Sequence, residues 1–325
     1  MALSVFERLM EEGLISAGSL EKIREKEKPG PTSLHWEWRS LLYLGIILFL
    51  TGTGIIIYTH LQQFGYFVII GTLILLISLS YTYCFFVKPP FSWSAMASPN
   101  IWYDYSLLAG GSLLVLLAAY LQSQFNFFGS SWNLDLFVPM VMLFFTAYYY
   151  DHRGILGMAI LSLAAWLGIT INNATAFGLN LLNEPDVIRT LFLLGCGLIA
   201  LSVVIGQNRF KPHFQEIFHQ FGIHFAGVAA VAGVINESKY YLIWLAILLV
   251  LAMYLMRTAF RKKSTYYLVA ACLYPYAGLT YIFMENWTKS LHGEPRIYAN
   301  LGYAVISGLI LIGVIYRLNK KITQS

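Results

Sequence analysis

The chain has 325 residues, of which 58% are hydrophobic and 11% charged, and its formal net charge is +5. An ordinary soluble domain is about half apolar and about a quarter charged, so this composition excludes that class. Apolar runs of about 20 residues, the length that crosses a bilayer as a helix, recur along the sequence, whereas a membrane β-barrel would show alternating segments of about 10 residues. The sequence therefore predicts an all-α, polytopic membrane protein.

The first 39 residues form the only sizeable polar segment of the chain. Capping residues and the helical spacing of apolar side chains predict two short helices here. We expect a cytosolic helix pair and an interfacial anchor at residues 1–39, a transmembrane helical domain at 40–317, and a short basic cytosolic tail at 318–325. A helix pair this small cannot fold alone, so its apolar face must pack against the spans, the membrane surface or a partner.

Ten membrane spans are predicted, with both chain ends in the cytosol. Of the 21 lysines and arginines, 17 fall on the side of the N-terminus, and only Arg189, Lys239, Lys289 and Arg296 fall on the other. Such an excess of basic residues is typical of cytosolic segments. The predicted spans are residues 41–59, 66–87, 105–121, 134–150, 154–171, 187–206, 218–235, 240–256, 265–284 and 298–316.

Several phrases of the first half resemble one family. They include EEGLISAGSLEKIREKE, HWEWRSLLYLGIILFLTGTGIIIY, PPFSW and LFFTAYYYDHRG. These phrases are similar to an uncharacterised bacterial "predicted membrane protein" family, a domain of unknown function with Bacteroidetes-type members. The resemblance implies a cytosolic N-terminal helix pair followed by a multi-span domain in the bacterial inner (cytoplasmic) membrane. It implies no activity.

Two similar stretches carry glycines within apolar runs. LFLTGTGII (48–56) contains Gly52 and Gly54, and LFLLGCGLI (191–199) contains Gly195 and Gly197. One hypothesis is an inverted repeat, whose interrupted helices would bind a ligand at mid-membrane. The sequence favours the alternative, in which small residues allow close helix contacts, because little else aligns between the two halves. Gly residues two apart cannot both face one neighbour.

Polar side chains are rare inside the spans. His224 lies in the seventh predicted span. Apart from cysteine and tyrosine, it is the only ionisable side chain predicted to lie clearly inside any span, which makes it a candidate ligand-binding residue. His213, Glu216 and Gln220 precede it at helical spacing and form a predicted polar face. The simpler interpretation is an amphipathic helix end with His224 bonded to a neighbouring helix.

Two further features of the sequence are candidate sites. Asp151-His152-Arg153 joins two predicted spans and is expected to cap both helix ends. In the ninth span Pro275 lies between Tyr274 and Tyr276, and this aromatic wall is a candidate for an apolar or amphiphilic ligand, with ordinary packing as the alternative.

No motif of a soluble enzyme occurs in the sequence, so no catalytic residue, cofactor or metal site is predicted. The basic charge is explained by orientation and predicts no nucleic-acid partner. Two functional hypotheses stay open: transport or binding of an apolar or amphiphilic small molecule or lipid, and a non-catalytic scaffold or regulatory protein that docks a cytosolic or membrane protein through residues 1–28. The lipid bilayer is the expected surrounding, and the sequence leaves the oligomeric state open.

Overall fold

The computed structural model describes residues 44–45, 48, 51–53, 55, 65–129, 133–172, 181–208, 211–287 and 293–324. The chain divides into two units, Met1–Ile69 and Ile70–Ser325, and the second contains the sites considered below. The helix pair predicted within residues 1–39 and most of the first predicted span lie outside the described residues.

From Gly65 onward the described residues contain nine α-helices and two short 3₁₀ turns, and no strand occurs among them. The helices are α1 (Tyr66–Val87), α2 (Ile101–Phe125), α3 (Leu134–Tyr150), α4 (Arg153–Asn172), α5 (Pro185–Asn208), α6 (Gln215–Asn236), α7 (Tyr241–Lys262), α8 (Thr265–Trp287) and α9 (Glu294–Gln324).

All of these helices except α3 are long and apolar enough to cross a membrane, which gives eight candidate spans among the described residues. Helix α3 is apolar but has only 17 residues. At about 1.5 Å per residue it is roughly 25 Å long, a little less than the hydrocarbon core of about 30 Å. The predicted fold class, an all-α polytopic membrane protein, is confirmed.

From α1 onward the observed helices coincide with or extend the predicted spans, except that α7 begins at Tyr241, one residue after the predicted start. Helices α1 and α3 have the predicted bounds, whereas α9 continues to Gln324 and includes most of the tail predicted at 318–325. Lysine and glutamine continue a helix readily although they lower its hydropathy, so a hydropathy limit underestimates the length of a helix with polar ends.

Helix α6 is the central element of the described bundle. It contacts α4, α5, α7 and α8, and it is the most buried of the candidate spans. Its buried positions are dominated by small residues, namely Gly222, Ala226, Gly227, Ala229, Ala230, Ala232 and Gly233. Small side chains let neighbouring helix backbones approach closely, which explains how one helix can pack against four others.

Helices α5 and α6 approach each other most closely at two glycines. A Cβ atom on Gly195 would lie 2.5 Å from the backbone nitrogen of Ala226, and one on Gly222 would lie 2.7 Å from the carbonyl oxygen of Gly195. No real side chain fits at such distances. The contact therefore requires glycine on both helices.

Two connections between helices meet the start of α6 and the end of α7 at one end of the bundle. The Asp151 carboxylate accepts hydrogen bonds from the Met96 backbone N–H at 2.7 Å and from Lys211 Nζ at 2.8 Å. Lys262 Nζ, at the end of α7, donates to Glu216 Oε2 at 2.7 Å. Because Lys211 and Glu216 lie on the two sides of the 3₁₀ turn Pro212–Phe214, these contacts bring together the α1–α2 and α3–α4 connections, the start of α6 and the end of α7.

Candidate functional site

A groove of about 750 Å³ runs between α6 and α8. Cavities that hold small molecules in proteins are typically about 300–1,000 Å³, so its volume is that of a ligand site. Its middle is lined by apolar side chains, and polar side chains lie towards both ends. The lining residues are Leu182, Asn183, His224, Val228, Val231, Ala232, Ile235, Asn236, Thr265, Tyr266, Val269, Ala270, Leu273, Tyr274 and Ala277.

His224 links the two helices that form the groove. Its Nδ1 atom lies 2.5 Å from the Tyr274 hydroxyl, and its Nε2 atom lies 2.5 Å from the Tyr266 hydroxyl. Both rings also contact the imidazole at its edge or face. We call Tyr266, His224 and Tyr274 the imidazole triad. The expectation that His224 bonds to a neighbouring helix is met, and both partners line the groove.

The position of Tyr274 depends on a glycine in α6. A Cβ atom on Gly227 would lie 2.7 Å from the Tyr274 ring, so the ring rests directly on the α6 backbone. Tyr274 also packs against two clusters of buried apolar side chains. The hydroxyl group is therefore held by packing of its ring as well as by its bond to His224.

The other predicted tyrosine has a different role. Tyr276 hydrogen-bonds to Ser307 Oγ of α9 at 2.9 Å and is not among the groove residues. Tyr274 therefore lines the groove and Tyr276 does not, although both flank Pro275 within the continuous helix α8.

The predicted polar face of α6 does not form one site. His213 lies in the 3₁₀ turn before α6 and its Nε2 atom is 2.7 Å from Asp151 Oδ1. Glu216 bonds to Lys262 and to the Tyr267 hydroxyl. Gln220 is half-buried between this region and His224.

Next to Glu216 a histidine is held by two tyrosines. His219 Nδ1 lies 2.9 Å from the Tyr267 hydroxyl, and Nε2 lies 2.7 Å from the Tyr254 hydroxyl. Both ring nitrogens are thus already engaged. Across the described part of the chain, no group of three His, Cys, Asp or Glu side chains is arranged to hold a metal ion.

The second polar centre, which we call the Asp151 cluster, consists of Met96, Asp151, Lys211 and His213. The Lys211 side chain is fully buried, and that of Asp151 is 2% exposed. Lys211 Nζ also lies 4.9 Å from the centre of the Phe91 ring, which gives the ammonium a second favourable contact. The sequence did not predict this pair, because Lys211 has the pattern of an ordinary basic residue of a cytosolic segment.

Two groups of the α3–α4 turn have shifted pKa values. Burial opposes ionisation of Asp151, but its hydrogen bonds from Lys211 and from the Met96 N–H outweigh burial and lower the pKa of this carboxyl. Burial lowers the pKa of His152, although Asp104, 3.6 Å away, acts in the opposite direction. His152 Nδ1 accepts the Ile155 backbone N–H at 3.1 Å, so it caps α4 as a neutral imidazole.

The structure describes three of the four glycines in the two similar stretches. Gly195 makes the close contact with α6, whereas a Cβ atom on Gly197 would meet no described atom within 4 Å. The two glycines of LFLLGCGLI therefore face different surroundings, as their spacing requires. Gly52 lies in a helical segment, and Gly54 lies outside the described residues.

These features define a polytopic helical membrane protein with an open apolar groove and a buried charge cluster at one end of the bundle. Residues 7–156 match the sequence model of the family described as "Predicted membrane protein (DUF2157)". This match confirms the resemblance found in the sequence. It includes Asp151 and His152 and ends before the groove helices. No curated protein and no solved structure gives a match to the chain.

The scaffold hypothesis rests on residues 1–28, which lie outside the described residues. Docking of a partner through this segment stays a prediction.

Proposed function

We propose that the protein binds an apolar or amphiphilic molecule, taken from the bilayer, in the groove between α6 and α8. The observation that carries this proposal is the groove itself: about 750 Å³, apolar along its middle and polar towards its ends. An amphiphile has the same distribution of polar and apolar groups. A site of this kind would allow the protein to transport the molecule after binding it.

The exposure of the groove residues supports this proposal. Val228 and Leu273 are 39% and 48% exposed on the surface formed by the described residues, and His224 is also exposed. An ionisable side chain at membrane depth is costly to leave facing hydrocarbon. A bound molecule with a polar group near His224 would provide it with a suitable environment.

The cellular setting belongs to the same proposal. The family resemblance and the excess of basic residues on one side support a bacterial inner membrane location with both termini in the cytosol. The Asp151 cluster would then lie at the cytosolic end of the bundle. The Leu182, Asn183 and Asn236 end of the groove would lie towards the other side.

Blocking the groove tests the proposal. The full chain and its Val228→Phe variant are purified in a mild detergent, and the co-purified lipids and metabolites are compared by native mass spectrometry. Val250→Phe is the matched control, because Val250 is an exposed valine of α7 outside the groove. We expect a bound species in the wild type and in Val250→Phe and its loss in Val228→Phe. Equal retention of every bound species by all three proteins would contradict the proposal.

A further inference from the structure

The hydrogen-bonding capacity of the imidazole triad leaves a proton for a ligand. A neutral imidazole has one donor and one acceptor nitrogen, and a protonated one has two donors. His224 contacts one tyrosine hydroxyl through each nitrogen. At least one of these tyrosines must therefore accept from the ring, and that tyrosine keeps its own O–H proton available for another acceptor.

This available donor lies on the groove. Tyr266 and Tyr274 both belong to the groove lining, and the hydrogen bonds of the two hydroxyl groups in the described structure go to His224. Either tautomer of His224 leaves one such donor, because exchanging the two nitrogens only exchanges the two tyrosines. The triad thus presents a hydroxyl donor to whatever occupies the groove.

The rest of the lining limits the charge of the occupant. No Lys, Arg, Asp or Glu of the described chain lines the groove, where the polar groups besides the triad are Asn183, Asn236 and Thr265. A phosphate or ammonium headgroup placed here would be removed from water without a counter-charge, which costs far more than burial of a neutral group. The lining therefore matches an uncharged acceptor.

The length of the apolar part of the groove indicates what kind of tail the ligand carries. From His224 to Asn236 is 12 residues along α6, about 18 Å at 1.5 Å per residue. The side chains between them that face the groove are Val228, Val231, Ala232 and Ile235. This length takes a hydrocarbon or isoprenoid chain that extends from the triad.

We propose that the occupant is an uncharged amphiphile whose carbonyl oxygen accepts a hydrogen bond from a tyrosine of the imidazole triad. This inference rests on the proposed function. The same chemistry has two sources, the ester carbonyl of a neutral glycerolipid and the ring carbonyl of an isoprenoid quinone.

The test compares ligands that differ in the acceptor or in charge. The full chain is reconstituted in nanodiscs, and binding is measured for dioleoylglycerol, its dioleyl ether analogue, a short-chain isoprenoid quinone, and phosphatidic acid with the same acyl chains. One neutral hydrogen bond makes roughly a two- to tenfold difference in affinity, so we expect the ether to bind about two- to tenfold more weakly than the better carbonyl ligand. The better of the two carbonyl ligands identifies the source.

The protein-side arm uses a double variant, Tyr266→Phe with Tyr274→Phe. We expect it to bind the carbonyl ligand about two- to tenfold more weakly and to lose its preference over the ether. Tyr276→Phe is the control, because this hydroxyl pairs with Ser307 outside the groove. If the double variant does not fold, the ether comparison on the wild-type protein still decides the question.

The outcomes separate this inference from the proposed function. If Val228→Phe abolishes binding while the ether binds the wild type as tightly as the better carbonyl ligand, the carbonyl inference is wrong and the groove remains the site. If phosphatidic acid binds as tightly as the better carbonyl ligand, the inference of an uncharged ligand is overturned. If Val228→Phe leaves the binding of all the ligands unchanged, both proposals fail.

Discussion

The buried ion pair of the Asp151 cluster allows a quantitative prediction. Asp151→Asn removes the carboxylate and leaves the Lys211 ammonium, whose side chain is fully buried, without a counter-charge 2.8 Å away. Removing one partner of a buried pair destabilises proteins by about 3–5 kcal/mol, so we expect a loss of this size in the free energy of unfolding.

Replacing the other partner of the pair should lower the free energy of unfolding by less. In Lys211→Met the Asp151 carboxylate keeps the Met96 N–H at 2.7 Å and the His213 contact at 2.7 Å. With these partners in place we expect a cost of about 1–3 kcal/mol. The double variant should be less unfavourable than the sum of the two single variants, because neither charge is then left buried alone.

Unfolding by SDS in mixed micelles, followed by circular dichroism, measures these free energies. Glu285→Gln is the control, because Glu285 pairs with Arg296 on the surface at 3.4 Å with both side chains over 40% exposed. Such pairs contribute about 0–1 kcal/mol. A cost for Asp151→Asn no greater than that of the control, or strict additivity of the two cluster substitutions, would refute the reasoning.

Three further predictions concern pH, packing and orientation. Because burial lowers the pKa of His152 below its ordinary value of 6.5, the unfolded chain binds more protons than the folded one just below pH 6.5. Unfolding stability should therefore fall as the pH decreases from 6.5, and His152→Asn should flatten this dependence. Gly195→Ala should lower stability by about 1–3 kcal/mol through overpacking, whereas Gly197→Ala should be neutral or favourable by up to about 1 kcal/mol. In whole cells, a membrane-impermeant thiol reagent should label Ser238→Cys but not Ser94→Cys in a variant without native cysteines.

A specific result would contradict each of these three predictions. A stability that is constant from pH 7 to pH 5 would show that the histidine at the α3–α4 turn does not bind fewer protons in the folded state. Equal effects of the two glycine substitutions would mean that the α5–α6 contact tolerates a methyl group. Labelling of the two cysteine variants in the reverse order would invert the predicted orientation.

The sequence predicted the helices well because each span carries its own signal. Runs of apolar residues mark their positions regardless of what they pack against, and α1 and α3 were placed with the observed bounds. The ends of α9 were not, since hydropathy does not register polar residues that continue a helix. Fold class and span positions are therefore local properties of this chain.

The sites depend on contacts that no local pattern specifies. His224 was recognisable because an intramembrane ionisable residue is rare, but its partners are 42 and 50 residues away on another helix. Asp151 was expected only to cap a turn, and its pairing with Lys211, 60 residues away, depends on how the helices pack. Gly195 carried a usable signal, and yet its partner Gly222 stands in a stretch that does not resemble it.

The contact between Gly195 and Gly222 has a mechanical consequence. Two backbones in direct contact leave no side chains that could change rotamer between them, so we expect α5 and α6 to move together. We then expect widening of the groove to come from displacement of α8. Tyr267 of α8 bonds to Glu216, and Tyr276 of α8 bonds to Ser307 of α9. A displacement of α8 would therefore alter the contacts at the end of the bundle and those with α9 at the same time.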